Sequence, residues 1–201
     1  MAEVWQGKAK RLDAWDYGRL GRSLGVGEDE VRAVVEVETG GAGFDAQGRL
    51  KMLFEPHVFY RELGEGKRRL AEAQGLAYPK WGAKPYPRDS YPRLIAASKI
   101  DRPAALRSAS WGLGQIMGFN AKVAGYPDAE AMISQFAADE EFQLRGMISF
   151  IASEGLADDL RRHDWVGFAR GYNGPKAAAH NYAGRLAASF AKWRARADTN
   201  G

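Results

Sequence analysis

VRAVVEVETGG, Val31 to Gly41, is the stretch around which the rest of the chain is read. Val31, Val34 and Val35 fall on one face at helical spacing, and Glu38 lies one turn beyond Val34 and Val35. Gly40 and Gly41 follow at once, and glycine takes the left-handed conformation that closes a helix. Glu38 is therefore expected in a last helical turn, where unpaired carbonyls carry partial negative charge. Dipole and apolar neighbours both disfavour an ionised carboxylate there, so its pKa is expected to be raised. A proton held near neutral pH is what a general acid needs. A solvated glutamate at a frayed helix end fits the same letters.

At 201 residues the chain has room for one domain or two small ones with a substantial core. We find no internal repeat and no low-complexity linker, so a single domain over residues 1–201 is expected. A hydrophobic fraction of 45% argues against wholesale disorder. The formal charge of +4, from 29 Lys plus Arg against 25 Asp plus Glu, is too mild for a nucleic-acid binder but suits an anionic polymer. Absence of Cys removes disulfides, thiolate metal ligands and a Cys nucleophile together. MAEVWQGKAKRLDAW has no apolar core of signal-peptide length, and no run approaches the roughly 18 apolar residues of a membrane span. Synthesis in the cytoplasm without a signal peptide is the expectation.

Outward from Glu38, a first helix is expected from Asp13 to Leu24, with Trp15, Leu20 and Leu24 among its apolar positions. Downstream, Asp45 to Gly48 carry turn residues before the apolar run Leu50, Met52, Leu53, Phe54. This predicts a short hairpin turning at Gln47-Gly48, with Leu53, Phe54 and Glu55 near its end. Pro56 then opens a helix, Gly64 to Arg69 reads as a charged connection, and Leu70 to Leu76 as helical. Tyr78 to Pro92 holds four prolines among aromatics, which forbids a long regular element. It is either a loop packed by its own aromatics or a wall of a binding groove. Helical pattern returns from Arg93 to Arg107 with a second start signal at Asp101-Arg102-Pro103. Ser108 to Gly118 reads as a glycine-punctuated turn, Asn120 to Gly125 as a short helix, and Asp128 as the cap of another to Ala138. Further helices are expected at Glu140–Ser153, Leu156–Arg161, Trp165–Arg170 and His180–Ala197. The class is α+β, predominantly helical, with one small β-hairpin.

Candidate chemistry narrows by elimination. His57, His163 and His180 show no metal-ligand spacing, so neither metal nor cofactor is expected. Gly112, Gly114 and Gly118 lack the strand, the Lys-Ser/Thr and the βαβ setting of a phosphate loop. Ser110 lacks the setting of a nucleophile elbow. Carboxylates remain. Glu38 and Glu55, a hairpin apart, are expected to face each other across a cleft, with Asp45 a third candidate on the turn. Such a pair suits glycosidic cleavage, in which one carboxyl protonates the leaving oxygen and another serves as base or nucleophile. Glu36 faces the other way and is expected to be solvated or paired with Arg32.

Four segments together resemble a known family: Glu38-Thr39-Gly40-Gly41, LFEPHVFY from Leu53, SASWGLGQIMG from Ser108 and DWVGFARGYNGP from Asp164. In order and spacing, from about Asp13 to Phe190, they look like the phage-type N-acetylmuramidases, the peptidoglycan-hydrolysing domains of endolysins. More distantly they are similar to goose-type lysozymes and soluble lytic transglycosylases. The resemblance implies a lysozyme-like fold with a small β element beside the cleft; it extends over nearly the whole chain, and no separate wall-binding module is expected. It also implies cleavage of the β-1,4 bond between N-acetylmuramic acid and N-acetylglucosamine in peptidoglycan. Residue by residue, Glu38 matches the catalytic acid and Glu55 a second acidic position with a base or supporting role. Gln115 and the backbone from Gly112 to Met117 match the segment lining the sugar cleft. Tyr172 and Asn173 match a pair whose hydroxyl is expected to touch the acid or the adjacent sugar.

Ser110 and Asn120 are added as polar sugar contacts, and Trp111, Met117 and Phe119 as sugar platforms or core residues. Two departures stand out. Gly114 replaces a bulkier residue, which implies a more open cleft floor, and Lys176-Ala177-Ala178 lacks an aromatic. Rival readings are a lytic transglycosylase, a non-catalytic peptidoglycan-binding domain and, distantly, a nucleic-acid binder. The family implies release to the wall through a holin, and a monomer is expected. The basic last helix, with Leu186, Phe190 and Trp193 on one side, either docks by that stripe or touches an anionic membrane or wall surface.

Overall fold

Capping residues and apolar spacing account for most helix limits in the computed structural model, which describes residues 3–174 and 181–200. Pro175, His180 and the Lys176-Ala177-Ala178 departure lie outside the described residues. Helix α1 (Ala14–Gly21) starts with Asp16 Oδ2 accepting the Asp13 N–H at 3.0 Å. Trp15 is 86% exposed, so the apolar side of this helix is narrower than its letters predict. In α2 (Glu28–Thr39) the Glu30 carboxylate accepts the Gly27 N–H at 3.0 Å. The helix closes where predicted: Gly40 has φ 68° and donates its N–H to Glu36 O at 2.8 Å.

Strand β1 (Met52–Phe54) leads into α3 (Pro56–Glu62) and α4 (Glu65–Ala73). The charged segment from Glu65 to Arg69 is thus helical and not a connection. Helix α5 (Tyr91–Arg107) bends at Asp101, with φ −157° and ψ 100°. Asp101 Oδ1 accepts the Ala104 N–H at 3.0 Å and restarts the helix, as its Asp-Arg-Pro signal predicts. Next come β2 (Ala109–Trp111), β3 (Ile116–Met117), α6 (Ala129–Ala138) and α7 (Glu140–Ser153). Helices α8 (Ala157–Arg161), α9 (Trp165–Asn173) and α10 (Tyr182–Asn200) complete the described chain. A 3-10 turn over Gly118–Asn120 stands where a short helix from Asn120 is expected.

The sheet differs from the predicted hairpin. Residues 45–49 do turn, with the Asp45 N–H on Arg49 O at 2.9 Å and Phe44 bridged to Leu50. The strand that follows does not fold back on that turn. It pairs antiparallel with β2, Leu53 opposite Ser110, and β2 pairs with β3 in a three-stranded sheet. The hairpin is therefore inside Ser108–Gly118, where strands of three and two residues are too short to show alternation.

Two apolar clusters fill the interior. One gathers Phe54, Phe59, Leu94, Trp111 and Phe136 around the sheet, α3, α5 and α6. The other gathers the α2 valines with Leu113, Leu144, Met147, Phe168 and Leu186. Tyr172 of α9 packs against both, so the last turn of α9 lies at their seam. Helix α10 is docked on α2. Its Arg185 donates to Val37 O at 2.7 Å, and Ser189 and Trp193 donate to Glu36 at 3.1 and 2.6 Å. Glu36 is thereby corrected: it serves α10, while Arg32 lies 3.4 Å from Glu28 and stacks 4.0 Å over Tyr17. No helix among the described residues is long and apolar enough to cross a membrane.

A buried carboxylate ties the N-terminal segment to this frame. Glu140, 3% exposed, accepts from Arg11 and the Gly43 N–H at 2.8 Å and from the Leu12 N–H at 3.0 Å. Glu140→Ala leaves the buried Gly43 N–H and the part-buried Leu12 N–H unpaired and is expected to destabilise by about 3 kcal/mol in urea unfolding. Arg11→Ala removes a partner that is itself half exposed and should cost about 1 kcal/mol or less.

Candidate active site

Glu38 occupies the last turn of α2, partly buried, and its Oε1 accepts a hydrogen bond from Asn173 Nδ2 at 3.2 Å. Burial raises its pKa from 4.5 to about 7, against the Asn173 hydrogen bond and the nearby Arg185 charge, which both pull it down. Of the two causes expected from the sequence, apolar surroundings and the helix dipole, the first carries the shift. Two carbonyls at that helix end are bound by cations, Val37 O by Arg185 at 2.7 Å and Thr39 O by Lys51 at 2.6 Å. They offset the partial negative charge of the terminus. Desolvation is what keeps the proton on Glu38.

The Tyr172 hydroxyl does not reach the acid. It donates to Gly114 O at 2.7 Å, and its ring stacks 5.3 Å from Phe168. Asn173 makes the contact expected of the tyrosine, because α9 continues through both residues and turns the amide toward α2. Nor is the floor at Gly114 open. A Cβ there would lie 2.9 Å from Met147 side-chain atoms and 2.9 Å from the Tyr172 hydroxyl, so those groups fill the space.

Gln115 sits at φ +46°, a left-handed conformation that costs a non-glycine residue on the order of 1 kcal/mol. Its side chain is fixed inside the loop: Oε1 accepts from Ser110 Oγ and Nε2 donates to Gly112 O, both at 2.9 Å. Gly112 has φ +68°, and a Cβ there would meet Gln143 Oε1 at 2.7 Å. That same oxygen accepts the Leu113 N–H at 2.9 Å. Ser110 and Gly112 therefore hold the hairpin loop and position Gln115, and neither borders the two cavities that meet at Glu38. Trp111 is fully buried core, whereas Phe119 is 37% exposed.

Two cavities meet at Glu38. A cleft of about 940 Å³ runs from Glu38, Thr39 and Gln115 past Met52 to the 45–47 turn and Arg88–Tyr91. A pocket of about 80 Å³ joins Glu38 and Gln115 to Met117, Asn120, Tyr172 and Asn173. Part of the proline-rich segment is thus a groove wall, while its Tyr78 is buried. Neither Lys51 nor Arg185 stood out in the sequence, since a lysine or arginine bound to a distant carbonyl leaves no local pattern.

Glu55 borders neither cavity. Pairing of β1 with β2 carries it to the far end of the strand from Met52, where its N–H donates to Ser108 O at 2.9 Å. Its carboxylate accepts the Tyr86 hydroxyl and lies 3.1 Å from His57 Nδ1, and burial raises its pKa. The predicted face-to-face pair of Glu38 and Glu55 fails for this reason. Asp45 instead shares the larger cleft with Glu38, its Oδ2 held by Arg49 Nε at 2.7 Å. Among the described residues no group of three His, Asp or Glu side chains is arranged to hold a metal.

A sequence profile of the N-acetylmuramidase family matches residues 28–194, which include every residue placed around Glu38. The chain belongs to the N-acetylmuramidase family. It also superposes on the crystal structure of Burkholderia AP3 phage endolysin with a TM-score of 0.81. The two are 35% identical over 92% of this chain and 72% of that one. No curated protein matches the chain. Family membership makes it a glycoside hydrolase of the lysozyme-like type, with the α+β fold described above.

Two outcomes test the geometry in this muramidase. The folded chain keeps a proton on Glu38 up to about pH 7, whereas an unperturbed carboxyl releases it near 4.5. The resulting stability is full below that lower value and is lost as pH rises to about 7. Glu38→Gln should remove this slope and be the more stable protein at pH 8, by on the order of 2 kcal/mol in urea unfolding. Parallel pH profiles for the two proteins would contradict the burial argument. Gly114→Ala should destabilise by about 1–3 kcal/mol, because the added methyl overpacks Met147 and Tyr172.

Proposed function

We propose that Glu38 is the general acid of an endolysin-type muramidase that hydrolyses the β-1,4 bond between N-acetylmuramic acid and N-acetylglucosamine. The observation that carries this reading is a carboxyl bordering both cavities with its pKa near 7. A glycan strand in the larger cleft brings its leaving oxygen to Glu38, which gives up the proton as the glycosidic bond breaks. The Asn173 amide already donates to that carboxyl, and this hydrogen bond strengthens as negative charge develops. Gln115, Met117 and Asn120 line the floor on which the sugar lies, and water adds to the oxocarbenium-like centre. Glu55 supports the site at one remove, fixing the proline-rich wall through Tyr86. The likeness to a phage endolysin supports action on the cell wall, with holin-dependent release and a monomeric enzyme as parts of the same proposal.

One observation favours a second reading. The two other carboxylates on the larger cleft, Asp45 and Asp89, are both engaged by Arg49 and poorly placed to activate water. The muramic 6-hydroxyl would then close a 1,6-anhydro ring, as lytic transglycosylases do. Mass spectrometry of digested sacculi separates the two. Hydrolysis gives reducing muramic ends, and transglycosylation gives ends lighter by one water. Glu38→Gln should lower lysis by roughly 10²–10⁴-fold or more while co-sedimentation with sacculi persists. Undiminished lysis would remove Glu38 from the chemistry.

A further inference from the structure

The cleft that Glu38 borders carries uneven charge. Arg49 lies between two carboxylates, 2.7 Å from Asp45 and 3.3 Å from Asp89, with its guanidinium 4.3 Å over the Tyr91 ring. It is fully engaged in joining the 45–49 turn to the proline-rich wall. Lys51 Nζ donates to a neutral acceptor, Thr39 O, at 2.6 Å. An ammonium has three donors, so two remain. Arg88 is exposed on the same cleft and has no carboxylate within 4.0 Å among the described residues. Arg49, Lys51 and Arg88 therefore share this cleft with Asp45 and Asp89, which Arg49 engages, and the other two cations lack an acidic partner.

Peptide-free glycan offers those two cations only one lactyl carboxylate per disaccharide. The peptide stem attached through the lactyl group offers more, because it carries several carboxylates. Position agrees with chemistry. Lys51 is anchored on the carbonyl of the residue after Glu38 and lines the same cleft, on the side of the carboxyl that the muramidase reading places at the scissile bond. We propose that Lys51 and Arg88 form a subsite for stem-peptide carboxylates, through which the protein prefers stem-bearing strands to peptide-free glycan. This rests on the muramidase reading above and names the part of the substrate the cleft selects.

Binding in the Glu38→Gln background tests it without turnover. The ligands are N-acetylglucosaminyl-N-acetylmuramyl tetrapeptide and the same disaccharide freed of peptide by an amidase, which keeps only the lactyl carboxylate. Calorimetry at low salt should show the tetrapeptide ligand bound more tightly by about fivefold, the upper range for an exposed ion pair. The advantage should shrink at about 0.5 M salt, as screened charges require. Arg88→Glu, and separately Lys51→Gln, should bring the ratio close to one. Equal affinities, an advantage untouched by both substitutions, or binding of neither ligand would overturn the subsite. Sacculus digestion by the unsubstituted enzyme, run alongside, keeps the two claims apart. No cleavage with the ratio intact would refute the muramidase reading alone.

Discussion

Removal of the Glu38 carboxyl from water, at the point where α2 stops, is the constraint on which the site depends. The α2 valines are sunk in the second apolar cluster, so the helix cannot rotate its last turn outward. Gly40 ends the helix one residue after Thr39, which leaves Glu38 at the mouth of the cleft and not deep in the core. Cations on Val37 O and Thr39 O hold the helix end in place while leaving the carboxyl to Asn173. Stability is given up at this point to hold a proton where a sugar linkage can take it.

The second element of the design is the seam between the two clusters. The β2–β3 loop crosses it, pinned by Gln143 against Gly112 and Leu113 and by Tyr172 against Gly114. Both glycines matter through what lies where a side chain would be, Gln143 in one case and Met147 with Tyr172 in the other. The strained Gln115 is held between these two anchors, with Ser110 and Gly112 O fixing its amide. A cleft floor built this way is rigid before substrate arrives, which is the condition for precise placement of a reacting bond.

How much of this was legible in the sequence depended on range. Local signals succeeded: the Gly40 stop, the Asp101 restart, the Asp128 cap and the full span of α7 all rest on neighbours within four residues. Glu38 itself was legible, since valine spacing and paired glycines define its position. Pairings between distant segments were not. The partner of β1 lies more than fifty residues downstream, and mistaking it displaced Glu55 into a cleft it does not border. The docking of α10 on Glu36 and Val37 was invisible for the same reason, as were Lys51 and Arg88 as cleft cations. Long-range pairing is decided by tertiary packing, and a single sequence holds only its local half.

The central claim is a proton on one named side chain, and it is measured most directly by titrating that side chain. In protein labelled with ¹³C at glutamate carboxyl carbons, the signal that disappears in Glu38→Gln identifies Glu38, and its shift is followed against pH. A midpoint near 7 is the predicted result, while a midpoint at the ordinary value of 4.5 or below would contradict the account.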